Sequence, residues 1–237
     1  MKLLDLTLPS PAANLACDEA LLDWCEGGRC EGLLRFWESP EYFVVLGYAN
    51  KASSEADLEA CRERGVPVLR RCSGGGAVLQ GPGCLNYSLV LKIEGALQSI
   101  TETNCHVMQR NRDALQTLLK QKVEIRGTTD LTLGNLKFSG NAQRRRRNFL
   151  LFHGSFLLQF DLKLIGQLLK FPSRQPDYRA DRPHSKFLTQ LTVSAHDVKN
   201  SLRKEWNANE PLAAAPMDAI EGLVRTRYST EAWNLRW

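Results

Sequence analysis

The chain lacks most of what marks the common enzyme classes. No apolar run approaches the roughly 20 residues needed to cross a bilayer as a helix. No lysine follows its glycines at the spacing of a phosphate-binding P-loop, and neither a Gly-x-Gly-x-x-Gly fingerprint nor a Gly-x-Ser-x-Gly elbow occurs. Internal repeats and low-complexity segments are absent. The four histidines are scattered and the seven cysteines never form a Cys-x-x-Cys pair, so a structural zinc site has no ligand set. An odd number of scattered cysteines (Cys17, Cys25, Cys30, Cys61, Cys72, Cys84, Cys105) reads as reduced thiols, which sets the expected location as cytoplasmic. The start, Met1 to Leu6, carries Asp5 and no long apolar core, so it does not read as a secretory signal.

What is present is enough for one large domain, or one domain with a small appendage: 237 residues, 43% of them hydrophobic. A net charge of +5 and a pI near 8.9 suit an anionic substrate or an acidic protein partner and fall short of a nucleic-acid signature. Periodicity predicts an α+β chain with one main sheet, split into two. A helix capped by Asn14 runs to about Cys25, and strands are predicted at Tyr42 to Gly47, Val66 to Leu69 and Leu85 to Ile93. Helices are predicted over Lys51 to Arg64 and Glu102 to Gln121. Gly134-Asn135 forms a tight turn between Leu131 to Leu133 and Leu136 to Phe138, and a strand broken at His153-Gly154 spans Phe149 to Phe160. A short helix follows over Leu162 to Leu169. The Pro- and Arg-rich stretch Pro172 to Pro183 reads as an ordered surface loop or lid, and helices are predicted at Asp197 to Trp206 and Asp218 to Tyr228.

The most informative stretch is Arg70-Arg71-Cys72-Ser73-Gly74-Gly75-Gly76-Ala77-Val78. Consecutive glycines lose more backbone freedom on folding than any other residues, so the run implies positive φ or a backbone passing close to something. Two adjacent arginines make an anion the natural candidate. A second element follows at Lys137-Phe138-Ser139-Gly140-Asn141-Ala142-Gln143, read as a strand lysine before a Ser-Gly-Asn-Ala turn. Pattern alone leaves the Lys137 side chain either solvated or turned to the core.

In order along the chain, these elements resemble the lipoate–protein ligase and lipoyltransferase family of the biotin/lipoate ligase superfamily. Asn14 to Leu22 is similar to its first-helix motif, and Phe36-Trp37 with Val45-Leu46-Gly47-Tyr48 to its next strand pair. Arg70 to Val78 resembles its Arg-Arg-x-Ser-Gly-Gly-Gly-Ala-Val signature, and Leu85-Asn86-Tyr87-Ser88 the strand after it. Thr129-Asp130-Leu131, Lys137 to Gln143 and His153-Gly154-Ser155 are similar to its later elements. The resemblance covers the first helix through Leu158. It implies an α+β catalytic domain with a main mixed β-sheet, a smaller sheet and surrounding helices over residues 1–210. Residues 211–237 are then a C-terminal helical tail rather than a full accessory domain.

The function so implied is ligation of lipoate or octanoate, through an acyl-AMP made from ATP, to a lysine of a carrier domain. That domain is of the 2-oxoacid dehydrogenase or glycine-cleavage H-protein type. Lys137 is the implied catalytic residue, contacting the acyl carbonyl and the phosphate. Arg71 holds the phosphate and adenosine side, and Trp37 lines the acyl tunnel. Ser73, Gly74, Gly75, Gly76, Ala77, Asn86, Gly140, Asn141, Ala142, His153, Gly154 and Ser155 complete the substrate and nucleotide site. Asp130 is the implied Mg2+ ligand, since magnesium favours one or two carboxylates plus phosphate oxygens. No nucleic acid and no membrane partner is expected. The short C-terminal stretch implies that a small accessory subunit assists adenylation, or that the chain transfers from preformed lipoyl-AMP.

The sequence departs from the family pattern at three places. Gln80-Gly81 stands where His-Asp is usual, Thr129 stands for Asn, and Arg144 to Arg147 extend a basic pair. Those arginines read as nucleotide or carrier-domain contacts, or as a solvated turn. Two rival readings remain. One is a cysteine-dependent octanoyltransferase using acyl carrier protein, for which Cys72 and Cys84 are the only thiols near the loop, because Lys122 to Leu136 holds none. The other is a non-catalytic binding homologue.

Overall fold

The computed structural model describes residues 1–236. Its strands are β1 (Lys2–Asp5), β2 (Leu33–Trp37), β3 (Phe43–Leu46), β4 (Val68–Arg70), β5 (Val78–Gln80), β6 (Cys84–Lys92), β7 (Glu124–Arg126), β8 (Asp130–Leu133), β9 (Leu136–Arg145), β10 (Phe149–Leu157) and β11 (Glu210–Pro211). The helices are α1 (Pro11–Glu26), α2 (Ala52–Glu55), α3 (Leu58–Glu63), α4 (Ile100–Leu119), α5 (Leu162–Leu168), α6 (His184–Phe187), α7 (Ala195–Glu205), α8 (Met217–Leu223) and α9 (Glu231–Asn234). The strands form a large sheet in the order β11-β1-β2-β6-β10-β9-β8-β7 and a small one in the order β4-β3-β5. In the large sheet β1 is parallel to β2 and β11, and the pairs from β2 to β7 are antiparallel.

Strand period two explains how the large sheet is covered. Leu34, Phe36, Leu89, Phe152 and Phe156 face α4 and α7, which contribute Val107, Met108, Leu115, Val198 and Leu202. Leu33, Val90 and Leu151 face α1 through Leu15, Ala16 and Leu22. Because both faces are buried, β6 reads as a nearly continuous apolar run, which is why its alternation looks imperfect in the sequence. A third apolar cluster joins the small sheet to α2, α3 and α5 through Val44, Leu46, Cys61, Leu79 and Leu168.

Four local expectations are corrected. Ser10, not Asn14, caps α1: Ser10 Oγ accepts from the Ala13 N–H at 3.2 Å, and Pro11 presets the first turn. Asn14 lies one turn inside, buried, with its amide bonded to the Leu8 N–H and carbonyl. The expected helix over Lys51 to Arg64 breaks at Ala56-Asp57, where Asp57 caps α3. The Ser-Gly-Asn-Ala segment is not a turn but the middle of β9, and β10 runs unbroken through His153-Gly154. Each of the last two strands pairs along nearly its whole length with the other, and that ladder outweighs the local turn signal of Gly and Asn.

The C-terminal stretch expected as a helical tail is helical and packs into the core shared by α1. Ile220 and Tyr228 belong to the α1 cluster, and Tyr228 donates to Glu19 at 2.7 Å. Arg70 ties this segment down. Its guanidinium donates to the carbonyls of Gly47, Asn50, Trp233 and Asn234, and its backbone N–H donates to the Asn234 side chain. Of the two arginines in the signature, this one is spent on the chain itself.

The sheet is joined to α1 by a buried ion pair. Arg35 of β2, fully buried, donates to Asp18 at 2.6 Å and also to the Asn14 carbonyl and side-chain oxygens. Asp18→Ala leaves that guanidinium without its counter-charge and should destabilise the fold by about 3–5 kcal/mol, read by urea unfolding. Replacing both partners with Arg35→Met and Asp18→Leu should cost less than Asp18→Ala alone. If the single variant loses under 1 kcal/mol by the same assay, where about 1 kcal/mol is typical of any substitution, the pair is not the anchor.

Candidate active site

The register of the large sheet lays out the site. Trp37 on β2 lies opposite Asn86 on β6, Asn86 opposite Ser155 on β10, Ser155 opposite Gly140 on β9, and Gly140 opposite Asp130 on β8. Residues directly opposite share a face, so five strands present one row to the same side. Arg35, Ser88, His153 and Ala142 form the next row on that face. A bulge between Leu131 and Thr132 breaks the parity of β8 and β9 and brings Asp130 and Lys137 together.

Over the row lies a cavity of about 290 Å³. Of the residues anticipated from the sequence it is lined by Trp37, Arg71, Gly75, Gly76, Ala77, Asn86, Asp130, Lys137, Gly140, Asn141, Ala142, His153, Gly154 and Ser155. Ser73 sits behind it, and Gly74 lines a neighbouring cavity of about 460 Å³ on the other flank of the glycine loop. Not every lining residue offers its side chain. The Asn141 amide donates to the Thr129 carbonyl at 2.7 Å and accepts from the Tyr87 hydroxyl at 2.6 Å. A Cβ on Gly154 would lie 1.8 Å from Asn141 Oδ1, so glycine there makes room for this brace.

Lys137 is turned inward. Its ammonium pairs with Asp130 Oδ1 at 2.8 Å, and Tyr178 donates to Asp130 Oδ2 at 2.8 Å. Burial and the Asp130 carboxylate push the Tyr178 hydroxyl well above its ordinary pKa. The lysine lies across β9 because residue 140 is glycine: a Cβ there would be 2.8 Å from Lys137 Nζ. Both Asp130 oxygens are engaged by protein donors, one of them cationic, and among the described residues no group of three or more His, Cys, Asp or Glu gathers to hold a metal. As the side chains stand, magnesium at Asp130 would have to displace Lys137 or Tyr178, so these residues do not fit a resident ion.

The glycine loop is shaped from inside by Arg71. Its guanidinium donates to the carbonyls of Gly74 and Gly76 and, at 3.1 Å, to Ser73 Oγ. Gly75 has φ +92°, the conformation that favours glycine. Gly74 and Gly76 have ordinary φ, and a Cβ on either would meet only open space. Among the described residues no carboxylate lies within ion-pair distance of Arg71, and burial lowers its pKa to about 10. Two further arginines line the cavity without a carboxylate partner among the described residues: Arg174 and the buried Arg179. The sequence marked their stretch, Pro172 to Pro183, as an ordered surface loop or lid without naming any of its residues in the site; Tyr178 and His184 come from the same region.

The four-arginine run does not enter the cavity. Arg144 lies over the Tyr48 ring, Arg145 donates to the Leu97 and Gln98 carbonyls, and Arg146 pairs with Asp23 at 2.8 Å. Arg147 is exposed. No cysteine lines the cavity either. Cys72 and Cys84 are buried in apolar packing, which pushes both thiols up to about 12.

Residues 10–206 match the lipoyl protein ligase A/B catalytic domain. The chain belongs to that family. An octanoyltransferase LipM from Brevibacillus brevis is 30% identical to it over 96% of this chain and 95% of its own length. Lipoate-protein ligase A subunit 1 of Thermoplasma acidophilum is 27% identical over 94% and 91%. In three dimensions the chain superposes on an archaeal bi-partite lipoate protein ligase from Thermoplasma acidophilum with a TM-score of 0.84, at 26% identity, covering 99% of this chain and 95% of that one. A lipoate-protein ligase A bound with ATP gives 0.83 at 26% identity, covering 99% and 98%. The two sheets and their helices are thus the α+β fold of the lipoate ligases, and the family's enzymes attach lipoyl or octanoyl groups.

Within this lipoyl-ligase fold both ring nitrogens of His153 face polar partners. Ser73 Oγ, which accepts from Arg71 Nε, shares a hydrogen bond with His153 Nε2 at 2.6 Å, and Nδ1 faces Asp18 Oδ2 at 4.0 Å. Burial lowers the His153 pKa to about 4; Asp18 raises it and Arg71 lowers it by smaller amounts. The folded protein therefore refuses a proton that the unfolded chain accepts below its ordinary value of about 6.5. Stability should fall as pH drops from about 6.5 toward 4, by up to about 1.4 kcal/mol per pH unit from this residue. Urea unfolding at about pH 7 and pH 5 should show a shallower loss for His153→Gln than for the wild type, the remaining slope coming from groups such as His106 and His184. Equal slopes in the two proteins would mean that His153 already takes a proton in the fold.

Proposed function

We propose that this protein attaches a lipoyl-type acyl group to a lysine of a carrier domain by way of an acyl-AMP intermediate. The observation that carries the reading is the cavity's chemistry: Lys137 held by Asp130, three arginines in its lining with no carboxylate partner among the described residues, and no thiol in that lining. A thioester route needs an accessible cysteine with a lowered pKa. Here the nearest thiols are buried and their pKa values raised. Activation must then arrive with the acyl group, and an acyl-phosphate anhydride suits a cationic wall.

In the first half-reaction the acid's carboxylate oxygen attacks the α-phosphorus of ATP, and the bond to pyrophosphate breaks. In the second, the amine of the carrier lysine attacks the acyl carbonyl. The C–N bond forms, the bond to AMP breaks and the amine loses a proton. Lys137, held over Gly140 by Asp130, donates to the carbonyl and phosphate oxygens and opposes the charge that grows on the carbonyl during attack. Arg71, Arg174 and Arg179 receive the phosphate. Gly76, where a Cβ would meet only open space, lets the loop backbone approach the ligand, and the second cavity across the loop gives the nucleotide room. The LipM relatives carry the name octanoyltransferase, which keeps a thioester donor as the second reading. The bi-partite Thermoplasma ligase, described with an E2 lipoyl domain, supports a lipoyl carrier domain as acceptor and a second protein as an aid to adenylation.

The test measures transfer to a carrier domain by mass, with lipoate plus ATP, with synthetic lipoyl-AMP, and with acyl carrier protein as donors. Lys137→Ala should lose at least about 100-fold in rate from lipoyl-AMP. Lys137→Arg should recover little, since a planar fork does not replace a compact ammonium. Cys72→Ala and Cys84→Ala should keep transfer. A thioester trapped on either cysteine would move the assignment to the thioester route. Gly76→Val should keep the thermal midpoint and lose lipoyl-AMP affinity by calorimetry, because its Cβ points into open space; Gly75→Val should lose both. Undiminished binding by Gly76→Val would leave the loop a plain turn.

A further inference from the structure

Of the titratable side chains that line the cavity, four can act as bases near neutral pH: Asp18, Asp130, His153 and His184. Three of them are engaged. Asp18 pairs with Arg35 at 2.6 Å, and the two oxygens of Asp130 are taken by Lys137 and Tyr178. His153 meets Ser73 at Nε2 and Asp18 at Nδ1. His184 differs. Its Nε2 lies 3.2 Å from the Lys170 carbonyl oxygen, which has no proton to give, so Nε2 carries the hydrogen and donates. In the neutral ring the lone pair is then on Nδ1. That nitrogen has no protein hydrogen bond among the described residues and is not sealed from solvent.

The fold holds this ring at the reacting end. His184 opens α6, and Leu188, just past that helix, bridges to Lys137 of β9. The Leu188 N–H donates to the His184 carbonyl at 3.0 Å, and the Thr189 N–H donates to the Lys137 carbonyl at 2.9 Å. One helical turn therefore separates His184 from the residue paired with the lysine. The charged side chains that act on the ring are Arg179 and Lys137, both cations; the Lys170 ammonium is turned away, to the Ser53 carbonyl. Burial first, and then these two cations, lower the His184 pKa against the opposing pull of the Lys170 carbonyl. At neutral pH the ring is neutral and Nδ1 is free to take a proton.

We propose that His184 is the general base of the transfer step, its Nδ1 taking the proton that the carrier lysine loses as it attacks the acyl carbonyl. This rests on the acyl-transfer reading given above and adds the residue that handles the proton. The incoming amine attacks unprotonated; its lone pair forms the C–N bond and leaves the nitrogen positively charged. A proton moves from that nitrogen to Nδ1, and the electron pair of the bond to phosphate oxygen leaves with AMP. The imidazolium then gives its proton to water. Lys137 cannot do this, since an ammonium has no lone pair. The requirement is the same for any leaving group on the acyl carbonyl, because the amine must lose one proton to become an amide.

The experiment is single-turnover transfer to a carrier domain, from lipoyl-AMP and from octanoyl acyl carrier protein, by the wild type, His184→Gln and His184→Ala. A glutamine amide keeps a donor for the Lys170 carbonyl and offers no base. With the donor that the wild type uses, His184→Gln should transfer at least about 100-fold more slowly. Its calorimetric affinity for lipoyl-AMP and its thermal midpoint should stay at the wild-type values. Hydroxylamine, a weakly basic amine whose adduct yields its proton to water, should be acylated equally by both proteins. Added imidazole should restore His184→Ala and leave the wild type unchanged. A wild-type rate in His184→Gln overturns the proposal. An equal loss toward hydroxylamine and the carrier lysine overturns it too, because His184 then shapes the cavity rather than moving a proton, and so does a folded His184→Ala that imidazole leaves inactive. Wild-type transfer from acyl carrier protein alone retires the ligase reading, and the same variants then test His184 with that donor. Transfer from lipoyl-AMP that is undiminished in His184→Gln keeps the ligase reading and retires this one. Transfer from neither donor overturns both.

Discussion

The register of β2, β6, β10, β9 and β8 is the constraint on which the site depends. A slip of one residue in any of these strands would turn its row member to the opposite face. Trp37, Asn86, Ser155, Gly140 and Asp130 come from five separate segments, and only the ladder makes them neighbours. The register is secured on both faces. On one side large apolar residues such as Phe36, Phe152 and Phe156 pack on α4 and α7; on the other Arg35 locks β2 to α1 through Asp18. The same ion pair delivers Asp18 to the cavity wall beside His153, so a fold-holding contact also sets the electrostatics of the site.

The two signature arginines show how one sequence feature divides into two jobs. Arg70 gathers backbone carbonyls from the end of β3 and from the C-terminal segment, clamping that segment against the loop. Arg71 threads beneath the glycines and holds their carbonyls, which frees the outer surface of the loop. A buried cation that meets only neutral oxygens from its own chain is costly unless an anion completes it. Unlike Arg70, Arg71 lies at the cavity, where the anion of the proposed acyl-AMP would complete it.

Much of the site was legible because its elements carry strong local signals. The glycine run with Arg71, the strand lysine before Ser139-Gly140 and the His153-Gly154-Ser155 element all line or brace one cavity, as their order along the chain suggested. Less legible were residues whose role comes from distant packing. Tyr178, Arg174 and Arg179 sit in a loop whose composition looks merely polar, and they reach the site because the loop folds back over Lys137 and Asp130. The run Arg144 to Arg147 read as nucleotide or carrier-domain contacts or as a solvated turn, and it is consumed by local carbonyl, aromatic and carboxylate partners, Arg147 excepted. Asn14 looked like a cap and became a buried brace, since a Ser-Pro pair four residues earlier offered a better start for α1.

By itself the sequence determined the class of fold, and its resemblance to the lipoate ligases singled out Lys137 as the candidate reacting cation. Alternation and helical spacing set the elements, and no other lysine stands beside a Gly-Asn-Ala strand. Only the tertiary structure decided which way Lys137 points, how deeply Cys72 and Cys84 are buried, and which glycines answer to backbone geometry and which to open space. The reason is physical. Periodicity along a chain is a local property, whereas a side chain's direction at a bulge, a thiol's burial and an unpartnered polar atom are set by residues far apart in sequence.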